Sequence, residues 1–353
     1  MATLGYSSLL AFGVCLVAGL VWIRLAPMLG LLDVPGGRRQ HLHIVPKVGG
    51  LALVTTILLL ARLPGLQIRT TPLESGAILA MAAIGVSDDR FDLRPRYKAG
   101  LGFILALALG LAGTNRLFPG LAPFPLLGLT IPPIPWVVFM LLGFMYLCIP
   151  QALNLIDGAN GLATGFALVV IGCLWAAGDP HPFLVGALLA CLALNWPRAR
   201  LFLGDCGSLS IGLMLVVYAQ KAFLLPNPNH LLWLFAYPAI DVITVTIIRK
   251  IHRRPIFEGD RAHLHFQLRD RWPGHARLVV PALLLAAFLC GSEVFATGAW
   301  RALPYLGLAS LLALAGWFIL ATAFGPDLAV APPIRPVEPE RVLPKPLSEP
   351  AQK

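Results

Sequence analysis

The sequence predicts an all-α polytopic integral membrane protein, with about eleven transmembrane helices and polar loops gathered at one membrane face. Its 353 residues are 58% hydrophobic and only 12% charged, and the mean hydropathy is +0.78. A soluble domain of this length could not hide so much apolar surface from water. The apolar runs are continuous rather than alternating, which predicts helices and not a β-barrel.

Eleven apolar runs approach the roughly 20 residues that are needed to cross about 30 Å of hydrocarbon. They lie near residues 5–25, 48–64, 74–87, 98–114, 134–152, 161–178, 182–196, 206–222, 230–249, 278–297 and 303–323. The first run lacks the basic start and the cleavage site of a signal peptide, so we expect a retained helix. After Phe324 the chain is rich in proline, which predicts a disordered tail. We therefore divide the chain into a membrane domain at 1–324 and a tail at 325–353.

Basic residues sort between the two sides of the predicted membrane. The loops 26–47, 88–98, 197–205 and 250–277, together with the tail, carry most of them. The positive-inside rule makes these loops cytoplasmic, with the N-terminus outside and the C-terminus inside. The net charge of +10 is spread over separate loops, and these loops contain no recognisable nucleic-acid-binding motif. Membrane lipid is therefore an expected partner, and nucleic acid is not.

Acidic residues lie at the ends of three apolar runs, as Asp88-Asp89, Asp157 and Asp205. An unpaired charge beside hydrocarbon is costly, and membrane proteins usually use such a carboxylate for a metal, a proton or a substrate. Asp88 and Asp89, with Asp92 nearby, repel one another without a cation, which is typical of Mg²⁺-phosphate chemistry. A solvated acidic turn balanced by neighbouring arginines is the alternative. Because the three clusters face the same side, we expect one shared polar site.

Further polar residues accompany these acids. Gln151, Asn154, Asp157 and Asn160 recur every third residue and could present one face to a planar polar group. Contacts between helices are the alternative use of such amides.

Basic and aromatic residues complete the pattern. Arg38 and Arg39 precede a Gly-Gly pair at a helix start, where an anion could bind. Phe202 lies three residues before Asp205. His263 and His265 are two residues apart, unlike the i, i+4 spacing of a zinc helix, so phosphate binding fits them better.

Five motifs in this order resemble those of the polyprenyl-phosphate N-acetylhexosamine-1-phosphate transferases, which belong to glycosyltransferase family 4. They cover about residues 30–270 and read D-x-P…H…P-x-x-GG, DDRFDL with a downstream Lys98, NLIDGANGLATG, FLGDCGS and RRPIF-x-x-DRAHLH. The chain is most similar to the eleven-span branch that is undecaprenyl-phosphate N-acetylglucosamine-1-phosphate transferase-like.

The resemblance implies a Mg²⁺-dependent enzyme, with Mn²⁺ as the other candidate metal. Such an enzyme transfers an N-acetylhexosamine 1-phosphate from a UDP-sugar, first of all UDP-N-acetylglucosamine, to undecaprenyl phosphate, and it releases UMP. The product would initiate a cell-envelope polysaccharide such as lipopolysaccharide O-antigen. The implied location is a bacterial inner membrane with cytoplasmic catalytic loops, and a homodimer is an open option.

The resemblance also implies roles for individual residues. The expected catalytic residues are Asp88, Asp89, Asp205, His263 and His265, of which Asp205 and Asp88 would bind the metal. The expected substrate-binding residues are Arg38, Arg39, Lys98, Asn154, Asp157, Asn160, Phe202 and Arg261. Many relatives have a histidine where this chain has Phe266.

Other readings of the same residues are a catalytically impaired membrane scaffold and a membrane transporter. A transporter would place its charges near the bilayer midplane, whereas these lie at the ends of spans. A CDP-alcohol phosphotransferase does not fit, because its D-x-x-D-G-x-x-A-R pattern is absent.

Overall fold

The computed structural model describes residues 2–35, 43–61, 70–117, 123–126, 129–132, 134–223, 227–255 and 261–324. The predicted phosphate-binding residues Arg38 and Arg39 and the predicted tail at 325–353 lie outside this part of the chain.

Helices make up almost all of the regular structure. In chain order they are α1 Ala2–Leu29, α2 Gly49–Leu60, α3 Pro72–Phe91, α4 Pro95–Leu117, α5 Pro135–Ile156, α6 Leu162–Ala176, α7 Pro182–Asn195, α8 Gly204–Phe223, α9 Asn229–Leu234, α10 Ala236–Ile251, α11 Leu264–Arg271, α12 Ala276–Gly291 and α13 Leu303–Phe324. Two short antiparallel ribbons accompany them, which the sequence did not predict. They pair β1 Leu32–Asp33 with β2 Val45–Pro46, and β3 Phe124–Leu126 with β4 Leu129–Ile131.

Six helices of the described chain are long and apolar enough to cross a membrane: Gly5–Leu29, Pro95–Leu117, Pro135–Ile156, Gly204–Phe223, Arg277–Val294 and Trp300–Ala323. Three shorter apolar helices are Gly49–Leu60, Leu162–Ala176 and Pro182–Asn195. The prediction of an all-α polytopic membrane protein is confirmed. Each of the eleven predicted runs overlaps a helix, but length and composition support only six of them as spans.

Helix α8 forms the centre of the molecule. It is surrounded by α2, α3, α5 and α6, and most of its side chains are buried. Large apolar side chains of the outer helices, such as Leu9 of α1 and Leu320 of α13, are exposed. Apolar side chains on the outer surface suit a bundle that faces lipid.

Helix α3 shows how local sequence sets the start of an element. Thr71 accepts a hydrogen bond from the Glu74 backbone N–H, and the Glu74 carboxylate accepts one from the Thr71 N–H. This capping box satisfies two backbone donors of the first turn. Helix α3 then continues to Phe91, so Asp88 and Asp89 lie in its last turn and not in an extended loop. The link to α4 is only Asp92–Arg94.

Candidate active site

The end of α3 touches the start of α8. A Cβ atom on Gly85 would lie 2.3 Å from the backbone nitrogen of Cys206, so only glycine permits this approach of the two backbones. The contact brings the last turn of α3, with its two aspartates, against the first turn of α8, with Asp205.

Lys98 of α4 joins the two acidic elements. Its Nζ atom donates to Asp205 Oδ2 at 2.5 Å and to Asp88 Oδ2 at 3.1 Å. Asn154 of α5 donates from Nδ2 to Asp205 Oδ1 at 2.8 Å and to Ser208 Oγ at 2.9 Å. The four predicted residues Asp88, Lys98, Asn154 and Asp205 are therefore in one hydrogen-bonded cluster, contributed by four helices.

Asp89 has a different environment from Asp88. Its Oδ2 atom accepts a hydrogen bond from the Cys206 backbone N–H at 3.1 Å, and its side chain is almost fully buried. Lys47 Nζ lies 3.5 Å from Asp89 Oδ1 and donates to the Asp89 carbonyl oxygen at 2.5 Å. A carboxylate at a helix N-terminus stabilises that terminus, so these contacts make Asp89 a positioning residue for the first turn of α8.

The loop after α5 is tied to the segment before α8. Asn160 donates from Nδ2 to the Pro197 carbonyl oxygen at 3.1 Å, and the Gly161 N–H donates to Asn195 Oδ1. Helix α5 ends at Ile156, so Gln151 and Asn154 lie on the helix, whereas Asn160 turns toward Pro197. The four polar residues spaced by three do not line one helical face.

Asp157 lies between these two regions, at the end of α5. Burial raises the pKa of its carboxyl well above the usual range, and the nearby carboxylates of Asp205 and Asp89 raise it further. Concentrated negative charge of this kind favours a cation or a proton at the site.

Phe202 is held by its backbone. Its N–H donates to the Pro46 carbonyl oxygen at 2.8 Å, and its carbonyl oxygen accepts from the Gly49 N–H at 2.9 Å. The side chain is half-buried. A ring that is fixed at its backbone and partly open to solvent can serve as a stacking surface.

One of the two predicted histidines, His263, is held by an acid that the sequence reasoning missed. Asp241 of α10 is fully buried and lies with Oδ2 2.6 Å from His263 Nδ1, while its Oδ1 accepts from the Leu264 N–H at 2.7 Å. The His263 and His265 rings are stacked at 5.9 Å between centroids. Burial lowers the pKa of His265 to about 3, so its imidazole is neutral at physiological pH.

Phe266 lies among cations. The guanidinium carbons of Arg261 and Arg269 are each 5.1 Å from the centre of its ring. Arg261 also donates from Nη2 to both carboxylate oxygens of Asp270 at 2.6 Å. The aromatic face of Phe266 attracts these guanidinium ions.

Gly158 connects the acidic cluster to the histidines. A Cβ atom on Gly158 would lie 2.3 Å from His265 Nε2 and 2.7 Å from Phe266 Cζ. Asn154, which contacts Asp205, is four residues earlier in the chain. The acidic cluster and the histidines therefore both contact the stretch from Asn154 to Gly158.

Several buried polar atoms at this junction have no hydrogen-bond partner among the described residues. They are His265 Nδ1, His265 Nε2 and Arg261 Nη1. Buried donors and acceptors are usually paired, and each exception calls for an explanation. A bound polar ligand between α11 and the loop at Gly158 would satisfy them.

The described residues contain no group of three or more His, Cys, Asp or Glu side chains arranged as a metal site. The donor set nevertheless fits Mg²⁺, because this ion is commonly held by one or two carboxylates together with water and substrate phosphates. Asp88 and Asp205 supply two carboxylates close enough to share one ammonium group. Both are partly accessible, as an ion with additional water ligands would require.

Sequence reasoning missed Asp241 and the pairing of Lys47 with Asp89. One signal was available for Asp241, because it is an acid inside the apolar run AYPAIDVITVTII, and a charge within a predicted span indicates a specific partner. Its partner His263 is 22 residues away, beyond the reach of any local pattern.

Comparison with known proteins agrees with this arrangement. Residues 71–222 match the family described as glycosyl transferase family 4, a range that includes Asp88, Lys98, Asn154, Asp157 and Asp205. The undecaprenyl-phosphate alpha-N-acetylglucosaminyl 1-phosphate transferase of Haemophilus influenzae is 32% identical over 257 residues, which cover 68% of this chain and 72% of that protein.

Two further relatives extend the similarity. The probable undecaprenyl-phosphate N-acetylglucosaminyl 1-phosphate transferase of Bacillus subtilis is 26% identical over 75% of this chain and 77% of its own length. The decaprenyl-phosphate N-acetylglucosaminephosphotransferase of Mycolicibacterium smegmatis is 28% identical over 88% of this chain and 87% of its own length.

Proposed function

The chain belongs to glycosyl transferase family 4, and from that premise we propose that it transfers an N-acetylhexosamine 1-phosphate from a UDP-sugar to undecaprenyl phosphate. We take UDP-N-acetylglucosamine as the donor, in line with the names of the relatives. The product is a polyprenyl-diphosphate-linked sugar, which would begin the synthesis of a cell-envelope polysaccharide. UMP is released.

One observation carries this proposal. Four helices place Asp88, Lys98, Asn154 and Asp205 in one cluster at their ends, and Gly158 joins it to His265. A nucleotide sugar comes from water, whereas a polyprenyl phosphate is confined to the lipid. Charged groups at the ends of membrane helices can contact both, and charges at the bilayer centre could not, which supports a transferase over a transporter.

The reaction forms one bond and breaks one. An oxygen of undecaprenyl phosphate attacks the phosphorus that bears the sugar, and the bond from that phosphorus to the bridging oxygen breaks, so UMP leaves with the electron pair. The second pKa of a phosphate monoester is about 6, so the acceptor is largely dianionic at neutral pH. We therefore assign Asp88 to the orientation of the acceptor, where alignment contributes more than proton removal.

Asp205 and Asp88 are the residues that would hold Mg²⁺, with Mn²⁺ as the other candidate. When bound, the ion would neutralise the diphosphate and the charge that develops on the leaving UMP. Lys98 supplies a further positive charge between the two carboxylates, and Asn154 fixes the orientation of Asp205 through its amide hydrogen bond.

The remaining residues are assigned to substrate binding. Phe202 offers its ring to the uracil, and Asp157 and Asn160 lie on the loop beside the nucleoside. His263, held by Asp241, and the neutral His265 would donate hydrogen bonds to phosphate oxygens. Arg261 would add charge through its unpaired Nη1 atom, and the predicted roles of Arg38, Arg39 and the homodimer remain predictions.

The proposed topology has eleven crossings in a bacterial inner membrane, with the N-terminus outside and the C-terminus in the cytoplasm. The basic residues of the four loops at the active-site side support this orientation. Each proposed crossing overlaps helical structure, including the shorter α2, α6 and α7, and the crossing at 230–249 overlaps both α9 and α10.

Purified protein in detergent, incubated with undecaprenyl phosphate, Mg²⁺ and a panel of UDP-sugars, tests the proposal by the release of UMP. We expect release with UDP-N-acetylglucosamine, dependence on undecaprenyl phosphate, and loss of activity after chelation of the metal. Absence of lipid-dependent UMP release with every UDP-sugar, from protein that is folded by circular dichroism, would refute the assigned reaction.

A further inference from the structure

Helices α3, α4 and α8 each carry a second charged residue at the end remote from the active site. These are Glu74 of α3, Arg116 of α4 and Lys221 of α8. Glu74 and Asp88 are 14 residues apart, which is about 21 Å along a helix that rises 1.5 Å per residue. The second charged group is therefore separate from the catalytic cluster.

The three charges border a cavity of about 610 Å³, which we call the remote pocket. Its lining residues are Thr70, Thr71, Leu73, Glu74, Leu109, Ala112, Gly113, Arg116, Leu117, Tyr146, Gln220 and Lys221. This volume lies in the range of small-molecule sites. Threonines, a tyrosine and an amide add polar groups to a lining that is otherwise largely apolar.

The charges of the remote pocket do not cancel. Lys221 donates to Glu74 Oε2, so these two form an ion pair. The guanidinium of Arg116 is 3.9 Å from Glu74 Oε1, which is too long for a hydrogen bond. One acid and two bases leave a net charge of +1 among the lining residues. Arg116 makes no hydrogen bond to any described residue, so its guanidinium can donate to an anion.

Gln220 supplies an independent indication of a ligand. Its side chain is 4% exposed, and its Oε1 atom is buried without a hydrogen-bond partner among the described residues. An unpaired buried amide oxygen costs about 1–3 kcal/mol. A ligand that carries both negative charge and a hydroxyl donor would satisfy Gln220 and Arg116 together.

We propose that the remote pocket binds a phosphate group that retains one P–OH. The monoester phosphate of a lipid headgroup and free inorganic phosphate share both the P–OH and the charge that Arg116 would recognise, and bidentate Arg–phosphate contacts are among the strongest charge-assisted hydrogen bonds. Glu74 disfavours a multiply charged anion and selects a protonated one.

Native mass spectrometry of the full-length chain in detergent tests this site. The protein is titrated separately with inorganic phosphate and with dihexanoyl phosphatidic acid. We expect Arg116→Gln to weaken binding at least tenfold in one or both titrations, and the titration that responds identifies the source of the phosphate. The matched control is Arg301→Gln, an exposed arginine outside the pocket, which should change binding less than twofold.

Two further variants keep the test decisive if Arg116→Gln does not fold. Gln220→Leu preserves the volume but removes the unpaired oxygen, so binding should weaken while thermal stability is kept or raised. Glu74→Gln retains the capping residue but removes the acid, so binding should tighten. Equal affinity of the wild type and all folded variants, in both titrations, would overturn the proposal that the remote pocket binds phosphate.

Discussion

Lys98 sets the charge balance of the active site, because its ammonium group is the nearest cation to both Asp88 and Asp205 among the described residues. Two carboxylates that share one lysine repel each other when that lysine is removed. The distances therefore give Lys98 a role in the arrangement of the acids as well as in the binding of phosphate.

Lys98→Met should lower kcat/KM about a hundredfold, or roughly 2.7 kcal/mol of transition-state stabilisation. The reason is the loss of a charge-assisted bond to each acid. Arg94→Met is the matched control, because Arg94 is an exposed base in the same short connection, and it should retain activity within about threefold. Steady-state UMP release measures the activity of both variants. Equal effects of the two substitutions would contradict the role of Lys98 in the site.

Phe266 is flanked by two guanidinium groups, which explain why an aromatic ring is stable there. An imidazolium at this position would be repelled by Arg261 and Arg269. An uncharged imidazole would lose part of the cation–π attraction, which is about 0.5–1 kcal/mol per pair.

Phe266→His should leave the reaction class unchanged but make the stability depend on pH. The two guanidinium groups would depress the pKa of the introduced histidine in the folded state. The unfolded chain then binds more protons, so stability falls as the pH drops through about 6.5. Thermal unfolding at pH 8 and at pH 5.5 measures this, with Phe266→Leu as the control that lacks the added dependence. A many-fold gain in turnover for Phe266→His would instead indicate an impaired site in the natural chain.

The contact between α3 and α8 is the element on which the active site depends. Asp88 and Asp205 are 117 residues apart in sequence, and the approach at Gly85 brings their helices together. Any side chain at this position must push the two backbones apart, because its Cβ atom would meet the main chain of Cys206 and not a flexible side chain.

Gly85→Ala should therefore reduce kcat at least a hundredfold and cost about 1–3 kcal/mol of stability. Gly76→Ala is the matched control on the same helix, where a Cβ atom would meet nothing within 4 Å, and it should be neutral or slightly stabilising. UMP release and thermal unfolding report the two effects. Wild-type turnover in Gly85→Ala would show that the helix contact does not position the aspartates.

Sequence could predict the apolar helices and the acids at their ends, because hydropathy and buried charge are local properties. It could not predict that Asp89 caps α8 while Asp88 pairs with Lys98, since neighbouring aspartates are alike in a sequence and differ only in their partners. Asn160 illustrates the same limit. Its spacing suggested one helical face, but α5 ends at Ile156, and tertiary contacts with Pro197 decide where it points.

Across the whole molecule, charge is divided between two ends of the same helices. The catalytic cluster and most basic loops lie at one end, and the remote pocket lies at the other. The proposed orientation puts the first end in the cytoplasm, where a nucleotide sugar is available.

Accessibility of introduced cysteines tests this orientation. A membrane-impermeant maleimide should label Arg301→Cys in intact spheroplasts and should label Arg254→Cys only after permeabilisation, because these residues lie at opposite ends of α12 and its neighbours. The described native cysteines are buried or half-buried, and the unsubstituted chain gives the background. Strong labelling of Arg254→Cys in intact spheroplasts would invert the topology and place the active site outside.

The most direct test of the central claim is the rate of undecaprenyl-phosphate-dependent UMP release by Asp205→Asn. Asparagine keeps the shape and the acceptor for Asn154 but removes the charge that pairs with Lys98 and that would bind the proposed metal. We expect kcat to fall on the order of a thousandfold, about 4 kcal/mol, with unchanged thermal unfolding, while Asp327→Asn in the tail retains full turnover. Near-normal, metal-dependent release by Asp205→Asn would contradict the assignment of this cluster as the site of phosphoryl transfer.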